Sequence, residues 1–156
     1  MTPLRSLFLS SVGLMLLGCI STLAAGPALR SLAKGAISGL QEQKEEVIRD
    51  AAGWQKLWTA HATSSKTAGT LPEVDFDREM VIVATSGRHS TGGYSIEVTR
   101  VEQLPDKLRV YITRKAPPSG AMAIQVLTAP FHMVAVPKSS WPVEFVVNDV
   151  AGGKKK

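Results

Sequence analysis

The stretch Met80–Val98, MVIVATSGRHSTGGYSIEV, limits what this chain can fold into more than any other. Met80 to Ala84 is an unbroken apolar run with three β-branched residues. A run of that kind suits a strand covered on both faces, because a half-wet strand would show alternation. From Tyr94 the pattern does alternate: Tyr94, Ile96 and Val98 fall on one face, Ser95, Glu97 and Thr99 on the other. That predicts a second strand with one solvated face. Between them lies Ser86-Gly87-Arg88-His89-Ser90-Thr91-Gly92-Gly93, a turn with three glycines. Glycine adopts positive φ without a Cβ clash and lets another backbone come close.

The remaining chain supplies partners for these strands. Glu45–Arg49 reads as a short first strand. Asp50 follows as a helix N-cap, its carboxylate placed to accept an orphan backbone N–H. The helix carries Trp54, Leu57, Trp58 and His61 at i, i+3, i+4 and i+7, on one stripe. The stripe is expected to lie on a sheet, a ligand platform being the sharper alternative for the two tryptophans. His61 closes the stripe in the last turn, where the macrodipole favours its charged form. Ala62–Pro72, rich in Ser, Thr, Ala and Gly, is a loop. Asp75 and Asp77 bracket Phe76 but lack the acidic spacing and closing Glu of a calcium loop.

After Val98, Pro105-Asp106 marks a turn. Leu108, Val110 and Ile112 then alternate with Arg109, Tyr111 and Thr113, giving a hairpin with one wet face. Ala116-Pro117-Pro118-Ser119-Gly120 breaks the pattern, since proline donates nothing to a ladder. Ala121–Thr128 and Pro130–Pro137 are read as further strands, and Val143, Phe145 and Val147 as the inward face of a closing one. The expected fold is α+β: a mainly antiparallel sheet of five to seven strands with one packed amphipathic helix. A barrel or sandwich is the nearest variant.

The N-terminus reads as an address. Arg5 precedes the uncharged apolar stretch Leu7–Leu17. That is the positive n-region and short h-region of a secretory signal. It is shorter than the roughly 20 apolar residues a bilayer span needs. It ends in Leu16-Leu17-Gly18-Cys19, similar to a bacterial lipobox, with the chain's one cysteine at the position that receives lipid. The expected organisation is a signal over 1–18, a tether over 19–43, a domain over 44–149 and a flexible basic tail over 150–156. Lipidation at Cys19 would attach the domain to a membrane, on the periplasmic or outer-surface side of the cell envelope. Plain secretion, with cleavage near Ala24-Ala25, is the alternative.

The net charge of +5 arises at the ends. Between Gln41 and Val150 there are 12 Lys/Arg against 13 Asp/Glu. The excess sits in Arg5, Arg30, Lys34 and Lys154-Lys155-Lys156. With no basic stripe interleaved with aromatics, nucleic acid is not an expected partner. The tail lysines suit anionic headgroups or simple solubility equally well.

Chemistry is sparse. His61, His89 and His132 form no paired metal motif, and no cofactor or metal is expected. His132 lies in an apolar strand and reads as a satisfied core histidine. His89 stands beside Ser86 and Ser90, but no G-x-S-x-G elbow frames a nucleophile. The expected role is non-catalytic binding through Arg88, His89, Ser90, Thr91, Gly92, Gly93 and Tyr94, displayed on a glycine-shaped turn.

The order of features resembles the PrcB C-terminal domain family, named for an exported lipoprotein component of a surface protease complex. The residues that carry the likeness are the Trp-bearing helix, then Val74–Val83, Gly87, Thr91-Gly92-Gly93-Tyr94-Ser95-Ile96, the Pro/Gly loop, and Pro130–Lys138. It covers about Val47 to Val147. The resemblance implies a domain that is not itself a protease and that assists the assembly or stability of one that is secreted. A fainter likeness links His89–Tyr94 to a loop of chagasin-type inhibitors of cysteine proteases. Pro118-Ser119-Gly120 and Ser140-Trp141-Pro142 would then be the companion loops.

Overall fold

Seven strands and one helix build three layers in the computed structural model, which describes residues 26–64 and 69–152. The signal segment, Cys19 and the tail lysines lie outside the described residues. In chain order the elements are β1 (Arg30–Gly35), β2 (Gln43–Ile48), α1 (Ala51–Ala62), β3 (Glu79–Ser86), β4 (Ser95–Gln103), β5 (Leu108–Ala116), β6 (Phe131–Pro137) and β7 (Val143–Ala151). The first sheet has the order β1-β6-β3-β2 and the second β4-β5-β7. All pairings are antiparallel except that of β5 with β7. The described strands form no closed barrel.

Strand β3 shows why its sequence is apolar on both faces. Met80, Ile82 and Ala84 point into the core between the sheets, with Ile96, Val98, Val101, Leu108, Val110, Ile112, Val134 and Val136. Val81 and Val83 point the other way, against Ile48, Trp54, Leu57, Trp58, Phe131 and Met133. Each buried aliphatic side chain contributes about 1.5–3 kcal/mol relative to exposure. The strand therefore joins both cores.

The helix sits as its stripe predicts. Asp50 caps it, with Gly53 N–H donating to Oδ1 at 2.8 Å. Trp54, Leu57, Trp58 and His61 are all buried. Trp54 lies 5.5 Å from Trp58, Trp58 lies 5.0 Å from His61, and His61 lies 4.3 Å from Phe131, centroid to centroid. The tryptophans are core anchors, and Trp54 Nε1–H reaches the Pro72 carbonyl at 3.0 Å. Asp75 closes the turn before β3: its Oδ1 accepts from Asp77 N–H and its carbonyl from Arg78 and Glu79 N–H.

Four expectations need correction. Arg30–Gly35, expected within the tether, is strand β1, paired with β6 from Arg30–Ala135 to Gly35–Phe131. The ordered fold thus begins before residue 44. Val150 and Ala151, expected in the tail, end β7. Ala121–Thr128 is not a strand; among the described residues its one extended pairing is the single bridge of Thr128 with His89. His61 is not held charged at the helix end. Burial pushes its pKa down, the opposite direction to that expected from the helix end.

His132 stitches the two sheets. Val98 N–H, at the irregularity in β4, donates to His132 Nδ1 at 2.9 Å. Nδ1 is therefore the acceptor, the ring proton sits on Nε2, and Nε2–H donates to Ser31 Oγ at 3.0 Å, at the irregularity in β1. Burial, followed by the charge of Lys34, lowers the pKa of His132. Both ring nitrogens are satisfied, as expected of a core histidine.

Candidate partner-binding surface

Strand register places the loops at two poles. β3 runs Glu79 to Ser86 and pairs Glu79 with Pro137 and Thr85 with Phe131. The β3–β4 turn, the β5–β6 connection and the end of β7 therefore share one pole. Residues 104–107 and 138–142 lie at the other.

The turn at the first pole is shaped by glycine at two positions. Gly87 has φ of 78° and Gly93 of 92°. A Cβ on Gly93 would also lie 3.0 Å from Pro117 Cβ. Gly92 is less constrained, its nearest would-be neighbour being Val126 at 3.7 Å.

The expected binding residues divide by exposure. Arg88, Ser90 and Gly93 are exposed; His89, Thr91, Gly92 and Tyr94 are half-buried. His89 is thus not displayed. Its Nε2 lies 2.9 Å from Ser86 Oγ, and its ring stacks on Tyr94 at 3.7 Å with a 6° tilt. The turn is braced from the β5–β6 connection. His89 and Thr128 exchange backbone hydrogen bonds, Thr128 Oγ–H donates to Thr91 O at 3.0 Å, and Gly92 N–H donates to Ile124 O at 2.9 Å.

The Ser86–His89 pair faces a hollow of about 410 Å³ that also touches Gln43, Tyr94, Arg114 and Asp149. Nucleophilic chemistry needs a third group orienting the base. Asp149 is already engaged by Arg114, at 2.8 and 3.0 Å. Among the described residues no carboxylate is hydrogen-bonded to His89. The pair braces the turn, since it ties the end of β3 to the loop that leaves it.

The exposed large apolar side chains beside this turn belong to the segment that the sequence predicts as a strand. Met122, Ile124, Val126 and Leu127 are all exposed large apolar residues on one short stretch, Ile124 at 79 %. Met122, Ile124 and Val126 line a hollow of about 630 Å³ together with Gly92, Pro117, Val150 and Gly152 among others. Prolines and glycine explain the position. Pro117-Pro118 ends β5, Gly120 takes φ of 78°, and Ala121 N–H folds back on the Pro118 carbonyl. The chain therefore leaves the sheet before Met122 and returns only at Phe131.

Residues 80–137 match the family model described as PrcB C-terminal. Over these residues the chain is similar to the PrcB C-terminal family. The match runs from the buried run of β3 to the end of β6, so it includes both the glycine turn and the exposed 121–127 segment. Searches of curated proteins and of solved structures found no match.

Proposed function

We propose that this protein is an exported, lipid-anchored, non-catalytic module that assists the assembly or stability of a secreted protease. The observation that carries this reading is the pole where the glycine turn and the Met122–Leu127 segment meet: an exposed apolar surface inside the family-matched region. Scattered apolar side chains are ordinary on a soluble surface, whereas several on one short stretch mark an interaction site. The Ser86–His89 pair without an orienting acid supports binding over turnover. The lipobox-like Leu16–Cys19 supports placement in the cell envelope, with Cys19 as the lipid attachment. The similarity to the PrcB C-terminal family supports a protease as the partner.

The chagasin-like reading has less behind it. Its three loops would have to form one edge. His89–Tyr94 and Pro118–Gly120 share a pole, but Ser140–Pro142 follows β6 at the opposite one.

The test is co-purification from envelope fractions of the producing organism, with and without the gene, scored for one protease and its steady-state level. An exported protease that co-purifies, falls in level without this protein and keeps its specific activity supports the reading. An unchanged protease level, or inhibition by the purified protein, contradicts it.

A further inference from the structure

We infer that the Met122–Leu127 segment and the hollow beside it take an extended peptide segment of the partner that combines apolar side chains with carboxylates. This rests on the accessory reading above and specifies the chemistry its partner must present.

The apolar half of the argument is the shape of the segment. It is fastened at Pro118, at Gly92 and at His89, and its side chains are left in solvent between those points. The adjoining hollow, about 630 Å³, is bounded by Pro117, Ile124, Val126 and Val150. A side chain entering there would be covered on several sides by apolar groups.

The charge half is its surroundings. Lys115 lines that hollow, and Arg88 lines a second one, about 280 Å³, together with Leu127 and Thr128. No carboxylate lines either hollow. Among the described residues neither Lys115 nor Arg88 forms an ion pair. An apolar strip bounded by cations with no acidic group of its own complements a peptide carrying Asp or Glu beside its apolar residues.

An anionic bilayer would offer the same two chemistries, but the position of the N-terminus favours a protein. Arg30 pairs with Ala135 towards the end of β6 that is remote from the strip, and a Cβ on Gly26 would touch the Val101 carbonyl. The chain arriving from Cys19 therefore enters at the pole opposite the strip.

The experiment is a peptide-display selection on the detergent-solubilised full-length chain, using random 12-residue peptides as the probe. Ile124→Asp and Lys115→Glu proteins are carried in parallel, and their melting is checked against the parent. The expected result is enrichment of peptides pairing apolar residues with Asp or Glu. A representative peptide should lose at least about tenfold in affinity with Ile124→Asp, a 1.4 kcal/mol change. It should weaken severalfold with Lys115→Glu and in raised salt. Enrichment of basic peptides, no enrichment, or binding indifferent to both substitutions overturns the inference. So does Ile124-dependent binding to phosphatidylglycerol-containing vesicles without peptide selection, or a dimer in sedimentation that Ile124→Asp dissolves. If the protease co-purifies equally with the Ile124→Asp protein, this inference fails while the accessory reading stands. If peptides bind but no protease depends on the protein, the accessory reading fails alone.

Discussion

Two apolar stretches, Met80–Ala84 and Met122–Leu127, have similar compositions and opposite fates. The first is buried on both faces, with a ladder partner on each side: β2 and β6. The second stands in solvent, outside both sheets. Apolar content does not separate them; flanking chemistry does. Glu79 and the Asp75 turn launch the first directly into a ladder, whereas Pro117-Pro118 and Gly120 turn the second away from β5. A buried run explains itself through the core it completes. An exposed one has no such account among the described residues, and that contrast is the ground for the partner proposed above.

The contrast is breakable by mutation. Ile82 is fully buried between the sheets, so Ile82→Ala should cost about 2–5 kcal/mol in urea unfolding. A loss under 1 kcal/mol would mean that the inter-sheet core is not close-packed.

Next in size is the histidine stitch. His132→Phe leaves Val98 N–H buried without its acceptor, and about 1–3 kcal/mol should be lost. The same site gives a pH signature. Burial lowers the pKa values of His61 and His132 in the folded protein, so the unfolded chain binds their protons first. Stability should be level above about pH 6.5 and fall as pH drops below it, by at most about 1.4 kcal/mol per pH unit for each histidine. It levels off again below the folded pKa values. His132→Phe should flatten that slope. A parent protein whose stability rises on acidification from pH 7 to 5 would contradict the assignment of neutral rings.

Gly93→Ala should cost roughly 1–2 kcal/mol, because φ of 92° suits glycine and the new methyl would crowd Pro117. Gly92→Ala should cost less, and equal losses would show that the Gly93 backbone is not what shapes the turn. Smallest of all is Ile124→Asp. An exposed position away from core and caps should move stability by no more than about 0.5 kcal/mol. A large loss there would make the strip part of the fold and end the comparison.

Local signals were legible where the chain supplies its own reason for a structure. Asp50 before a Trp-bearing stripe reads as cap and helix, and the alternation in Leu108–Thr113 reads as a half-wet strand. His132 in an apolar run reads as a core histidine. What was not legible depends on distant partners. Arg30–Gly35 has the composition of a linker and is a strand only because β6, a hundred residues on, offers it an edge. The parallel pairing of β7 with β5 follows from the chain changing sheets between Pro137 and Val143. The lowered pKa of His61 comes from cover by Trp58 and Phe131, of which only Trp58 is local. At the candidate surface the glycine turn stood out in sequence, but its histidine is half-buried against Ser86 and Tyr94. The apolar segment beside it has a strand's composition, so only its lack of a ladder partner sets it apart.

The most direct test of the partner surface is site-specific photocrosslinking in intact cells. One photoreactive residue replaces Ile124, and another replaces Asp106 in the turn at the opposite pole. An adduct with one exported protease from position 124 and none from position 106 is the predicted result. Adducts of equal yield from both positions, or none from position 124 when the protease is present, would contradict it.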